Sequence, residues 1–381
     1  MDATAAAQQG SAMEISVSKA ELLKELTATQ GVVERKTTIP ILSNFLFEAA
    51  GDRLTITATD LDLTLRTSCG AKVKKEGSCT VPARKLYDYV KLLPEGDISI
   101  KSLDNHWVAI RAGRSNTKMV GMARANFPQV PVFPSAGIVK LPASSLRTMI
   151  AKTIFAISNE ESRYTLNGAL LVLKPESMTM VATDGHRLAH IQTEKPIPGF
   201  TGELRTLIPK KAMSELNVLL QENPEAVEFA RDESTLFFRI GDRLLTSRQL
   251  TGQFPNYEAV LPRDNSKVIT IRSGEVAGAI QRVAQFADER SGAIKVRLEK
   301  NEMKISSSSS ETGESEDSIE VSYTGDALTI GFNSHYLLEF LKASDADEVL
   351  LELKDGQSAG QMRPASNGDY KYRYVVMPMR I

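Results

Sequence analysis

The chain repeats itself three times. Pro82, Pro209 and Phe332 stand 127 and 123 residues apart, and Phe127-Pro128, Phe254-Pro255 and Met377-Pro378 reproduce the same two intervals. Two separate landmarks with one pair of spacings mark a repeated structural unit, and internal repeats constrain a fold before any local element does. Each unit opens on a short alternating stretch followed by a helical stripe. These are Met13-Glu-Ile-Ser-Val before Lys19 to Val33, Val139-Lys-Leu before Ala143 to Ile157, and Val268-Ile-Thr-Ile before Gly274 to Ala287. Leu22, Leu23, Leu26, Val32 and Val33 fall near one helical face in the first, as do Leu146, Met149, Ile150, Ile154 and Ile157 in the second. A second strand-then-helix unit recurs at Thr80 to Leu86, Thr206 to Met213 and Thr329 to Leu337. Pro82 and Pro209 suit helix starts there, because a helix's first N–H has no intrahelical acceptor to lose.

Between these landmarks run alternating β segments such as Leu54 to Asp60, Met178 to Asp184, Leu236 to Ile240 and Val349 to Leu353. Turns are expected at Gly51-Asp52, Pro94-Glu-Gly96, Gly241-Asp242 and Asp355-Gly356. The fold class is therefore α+β, with antiparallel sheets, two helices and about six to eight strands per repeat. The boundaries expected are a disordered extension over residues 1–12 and repeats over 13–137, 138–264 and 265–381. The run from Ser306 to Asp317, rich in Ser, Glu and Gly, reads as a surface loop.

Composition narrows the function. Forty-six Lys and Arg against forty-seven Asp and Glu leave a net charge of −1, so any surface that binds a polyanion must be a local basic face offset by acid elsewhere. Two cysteines, Cys69 and Cys79, with no CxxC spacing and no secretory leader pattern point to a reduced, cytoplasmic protein without a metal, cofactor or membrane span. Asp184 with His186 and His190 is the one grouping that suggests acid–base chemistry. No nucleophile motif and no glycine-rich phosphate loop accompanies it, and Asp184-Gly185 reads more simply as a turn.

Several motifs then resemble one family in order and spacing. They are Thr37 to Asn44, Thr59-Asp-Leu61, Val81 to Lys85, Leu92 to Gly96, Tyr164 to Gly168, Val181-Ala-Thr-Asp-Gly-His-Arg-Leu188, Phe254 to Tyr257 and Tyr374-Val-Val-Met-Pro-Met-Arg380. From Met13 to Ile381 the chain resembles bacterial DNA sliding clamps, the beta subunits of DNA polymerase III. That resemblance implies three clamp domains per chain and a head-to-tail homodimer closed into a six-domain ring, helices inside and sheets outside. It implies a processivity subunit with no catalytic residues. By the same resemblance, Arg35, Lys36, Arg84, Arg163, Tyr164 and Thr165 would touch encircled duplex DNA without reading sequence. Cations on or near the helices (Lys19, Lys24, Arg84, Lys85, Lys91, Arg147, Lys152, Lys210, Lys211, Arg282 and Lys342) would line the hole.

A hydrophobic groove for short partner peptides is also implied, the usual ligand being of the Gln-Leu-x-Leu-Phe type. Its walls would be Leu166, Thr183, Gly185, His186, Arg187, Leu188, Pro255, Val260, Val375, Val376, Met377, Pro378, Met379 and Arg380. The partners so implied are the polymerase III catalytic subunit, the clamp loader, the 3'-5' exonuclease of the complex, other DNA polymerases, and mismatch-repair or ligase proteins. Glu160, Thr165 and Ala259 depart from residues common in the family at those places. A clamp-like scaffold paralogue without a replicative role is the alternative.

Overall fold

The computed structural model of the chain describes residues 12–34 and 37–380. Most of the expected extension, residues 1–11, and the expected DNA contacts Arg35 and Lys36 lie outside the described residues. Six α-helices are present among them: α1 (Lys19–Thr29), α2 (Ala83–Leu92), α3 (Ala143–Thr153), α4 (Lys210–Leu219), α5 (Ser273–Ala284) and α6 (Ser334–Ser344). Every strand pair recorded is antiparallel, as adjacency in sequence implies, and two helices fall in each repeat. Nine strands precede residue 138, one more than the upper expectation.

Two compact units divide the chain, residues 1–144 with 214–249, and residues 145–213 with 250–381. The first unit contains an eight-stranded sheet in the order Val139–Pro142, Ala226–Arg231, Thr235–Ile240, Arg243–Arg248, Leu63–Gly70, Arg53–Thr59, Asn44–Ala50, Gly77–Pro82. Its five-stranded sheet runs Lys72–Lys75, Glu14–Ser18, Asp97–Ser102, Trp107–Ala112, Ser115–Val120. In the second unit the eight-stranded order is Leu204–Pro209, Gly168–Lys174, Ser177–Thr183, Arg187–Thr193, Tyr370–Val376, Gly360–Pro364, Glu348–Leu353, Lys267–Arg272. Its four-stranded sheet runs Gly313–Glu320, Glu302–Ser309, Ala293–Glu299, Leu328–Asn333.

The helical stripes bury as their period demands. Leu22, Leu26, Leu146, Met149 and Ile150 are all fully shielded from solvent. Pro82 and Pro209 stand one residue earlier than a helical start. Each is the last residue of a strand, and the helix begins at Ala83 or Lys210. In the third repeat a different device does the same work: the Asn333 side chain accepts from His335 N at 2.9 Å and caps α6.

Two expectations are overturned. The stretch from Ser306 to Asp317 is largely a β-hairpin, since Glu302–Ser309 pairs with Gly313–Glu320 through eight registered positions. Its polar composition hid the alternation that buries Met303, Ile305 and Ser307, the last donating to Val283 O at 2.6 Å. An edge hairpin needs only one face against the core. Lys19 is not a solvated wall cation either. It is 8% exposed, and its ammonium donates to Leu93 O at 2.6 Å and Glu95 Oε1 at 2.9 Å.

Candidate binding site

In the second unit the strands Ser177–Thr183, Arg187–Thr193 and Tyr370–Val376 lie side by side, with Thr183 opposite Leu188 and Leu188 opposite Val375. Direct cross-strand partners share a face, so these residues point the same way as Leu170, which pairs with Val181. Segment 250–261 crosses that face. Phe254 and Tyr257 close with Leu170, Val172, Val181, Leu188, Leu207 and Val375 into one buried apolar cluster. Leu166, Leu250, Leu261 and Ala359 pack on it while only partly buried. Beside this floor Val260 and Met377 are each 44% exposed, and Pro255 is exposed. Large apolar side chains left open next to an apolar floor form a surface suited to an apolar partner.

One wall of the site is a tight turn. Asp184 Oδ1 accepts from His186 N at 2.9 Å and Arg187 N at 3.1 Å, while Gly185 takes φ +89°. The Thr183 hydroxyl donates to Arg187 O at 2.6 Å and accepts from Gly185 N at 3.0 Å. Arg163 Nη1 donates to Asp184 O at 2.7 Å, and a Cβ on residue 185 would sit 2.6 Å from that nitrogen. Glycine suits the position on both counts: its φ is one that side chains adopt at a cost, and a Cβ there would push the Arg163 guanidinium aside. Met377 N donates to His186 O at 2.9 Å and so seats the C-terminal segment against the turn.

The expected wall residues are not all brought together. Leu166, Thr183, Gly185, His186, Leu188, Pro255, Val260, Val375 and Met377 gather around the floor. Arg187 and Val376 pair across the strands one step out of phase and so point to the opposite face. Past Met377 the chain turns away. Met379 N donates to Gly331 O at 2.8 Å, and exposed Arg380 lies beside Asp288, Lys295, Glu314 and Glu316. Tyr257 was visible only as part of the Phe254 to Tyr257 motif. The remaining floor residues carried no signal beyond hydrophobicity.

Of the expected DNA contacts, Arg84 is exposed on α2, and Arg163, Tyr164 and Thr165 lie in the loop that also supplies Leu166. Tyr164 is 52% exposed. Glu160 binds Arg163 Nε at 2.8 Å and so takes up part of that guanidinium. Several other expected wall cations are engaged as well, among them Lys24 with Glu222 at 3.2 Å and Lys210 with Asn159 Oδ1 at 2.7 Å. Lys152 donates to Ala343 O and Ser344 O at the end of α6, and Arg282 pairs with Asp317. Burial pushes the Lys152 ammonium below its ordinary pKa.

Nothing at Asp184 is arranged for catalysis. Its carboxylate serves backbone amides and Arg187 Nε, not an imidazole. His190 is buried against the Tyr257 ring, 5.6 Å between centroids, and burial together with the nearby Arg373 charge pushes its pKa down to about 4. A neutral, enclosed imidazole with no carboxylate partner is a packing group. No group of three His, Cys, Asp or Glu side chains among the described residues could hold a metal ion, and no helix there is long and apolar enough to cross a membrane.

Fold and site together define a class: a three-repeat α+β protein of antiparallel sheets and paired helices, with an apolar floor and open apolar side chains at one sheet face. Family models extend that. Residues 13–131, 140–256 and 258–380 match the N-terminal, central and C-terminal domains of the DNA polymerase III beta subunit. The beta sliding clamp of Caulobacter vibrioides is 35% identical over 376 residues, covering 97% of this chain and 100% of that protein. A crystal structure of the DNA polymerase III subunit beta from Pseudomonas aeruginosa superposes with a TM-score of 0.91 at 34% identity, covering 97% and 100% of the two chains. One from Bartonella birtlesii, bound to griselimycin, gives 0.92 at 33%, with the same coverage. The chain belongs to the beta sliding clamp family, the processivity subunits of bacterial DNA polymerase III.

Proposed function

We propose that this clamp encircles duplex DNA as a head-to-tail homodimer of clamp domains 13–137, 138–264 and 265–381, and holds its partners through the apolar site. It works without a catalytic centre, in the cytoplasm. The observation that carries the partner site is the buried floor of Phe254, Tyr257, Leu188 and Val375 with Met377 and Val260 left open beside it. A short peptide with two or three apolar side chains complements that surface, and flexible Met377 can repack around different ones. The polymerase catalytic subunit, clamp loader, exonuclease, other polymerases and repair or ligase proteins would compete for it.

Ring closure has a physical candidate in two free sheet edges. Ser115–Val120 ends the five-stranded sheet and Gly313–Glu320 ends the four-stranded one, and their last six residues share one burial pattern. Lys118 on the first edge, with Arg114 just before it, meets Glu314, Glu316 and Glu320 on the second in charge. Unlike edges pairing between two copies make a heterologous contact that can close on itself.

The test is an anisotropy titration of a fluorescent Gln-Leu-Asp-Leu-Phe peptide against the full chain and a chain ending at Val376. Truncation at that point keeps the strand Tyr370–Val376, whose Tyr374, Val375 and Val376 are core residues. Saturable binding that is lost on truncation supports the site; equal binding by both chains removes Met377 from it. Retention on nicked circular DNA with release on linearisation at equal salt tests the encircling reading, and equal loss from both would overturn it.

A further inference from the structure

The turn that seats Met377 is held from outside the apolar site. Arg187 leaves the sheet on the opposite face and is 8% exposed. Its Nε donates to Asp184 Oδ2 at 3.1 Å and its Nη2 to Phe155 O at 2.7 Å, while Nη1 meets the Glu339 carboxylate on α6. The guanidinium lies 4.4 Å from the Tyr336 ring centroid and 5.5 Å from that of Phe155. A cation enclosed between rings and backbone needs counter-charge, or its desolvation is uncompensated. Asp184 and Glu339 supply it. Asp184 is itself the turn, so of the two carboxylates only Glu339 anchors the guanidinium independently of what it must hold, with the Phe155 carbonyl as its neutral companion.

We infer that Glu339 is a positioning residue for the partner groove. It fixes Arg187, Arg187 fixes the Asp184–Arg187 turn, and His186 O in that turn fixes the backbone of Met377. Glu339 lies on the helix side of the sheet, opposite the floor, where Phe340 of α6 stacks on Tyr374. Its side chain is 44% exposed, so exchanging it for glutamine removes charge without opening the core. The inference rests on the groove reading proposed above.

The experiment is the same peptide titration on the full chain, run for wild type, Glu339→Gln, Arg187→Met and the double variant, with thermal unfolding measured alongside. Glu339→Gln is expected to weaken the peptide about tenfold. In the Arg187→Met background the same change should alter Kd by less than about twofold, because residues of one network do not act additively. Should Arg187→Met fail to fold, Arg187→Lys takes its place. A Glu339→Gln chain that unfolds earlier yet binds as wild type, or effects that multiply independently, would overturn the positioning role. Wild type that does not bind at all would instead sink the groove reading, and this inference with it.

Discussion

Arg243 grips Glu25 with two bonds of 2.9 Å, Nε to Oε2 and Nη2 to Oε1, and both side chains are less than a tenth exposed. Arg243 is the first residue of the strand from the second repeat that pairs with Leu63–Gly70 of the first, and Glu25 stands on α1. Arg187 holds the matching place in the second unit. It too is the first residue of a second-repeat strand at a seam, with Tyr370–Val376 of the third repeat, and it too reaches a helix carboxylate, Glu339.

Removing one partner of a buried bidentate pair strands the other. Glu25→Gln is expected to cost about 3 kcal/mol, near the low end for such pairs because half-exposed Glu222 still binds Arg243 Nη1 at 2.8 Å. The urea midpoint reads it. Replacing both residues with apolar ones, Glu25→Leu with Arg243→Met, should cost less than Glu25→Gln alone. A larger loss in the double variant would mean that packing, not charge, holds the seam.

His190 makes stability depend on pH. The unfolded imidazole titrates near 6.5 and the folded one at about 4, so the folded state resists protonation. Its contribution is complete above pH 6.5 and is lost as pH falls toward 4, by about 2 kcal/mol at pH 5. The difference in unfolding free energy between pH 7.5 and pH 5 should therefore shrink by about that much in His190→Leu. An unchanged difference would show that the ring becomes hydrated before it protonates.

The turn at Gly185 has a twin at Leu61. Thr59 and Asp60 make the same four bonds as Thr183 and Asp184: the Thr59 hydroxyl to Leu63 O, Leu61 N to Thr59 Oγ1, and the amides of Asp62 and Leu63 to Asp60 Oδ1. Leu61 takes φ +81° there, where the second repeat has glycine. A side chain in that region costs about 1–2 kcal/mol, partly offset in a glycine variant by the entropy of the unfolded chain. Leu61→Gly should thus leave stability unchanged or raise it by up to about 1 kcal/mol. Gly185→Ala should lower it by about 1–2 kcal/mol and weaken the peptide as well. Destabilisation by Leu61→Gly would mean its half-exposed side chain packs more usefully than its backbone strains.

The two sheet edges are testable by exchange of charge. Lys118→Glu and Glu316→Lys should each shift the chain from dimer toward monomer in light scattering at low salt, and the two changes together should restore the dimer. If the double variant is as monomeric as the singles, these edges do not meet.

The local chemistry of the chain was enough for much of this. The repeat intervals set the number of repeats because they recur along the chain itself, while the apolar stripes at Leu22 and Leu146 set which helix faces are buried and Asp184-Gly185 wrote its own turn because each depends on neighbours within one or two turns of chain. Long-range pairing decided the rest. Whether Val375 or Val376 faces the partner side follows from which residue stands opposite Leu188, and a shift of one residue would exchange them. The fate of Lys19 and the reach of Arg187 to Glu339 likewise depend on segments far apart in sequence, whereas the hairpin in the serine-rich run is local and was hidden by its polar composition. Periodicity says that a face is buried; only the folded sheet says against what.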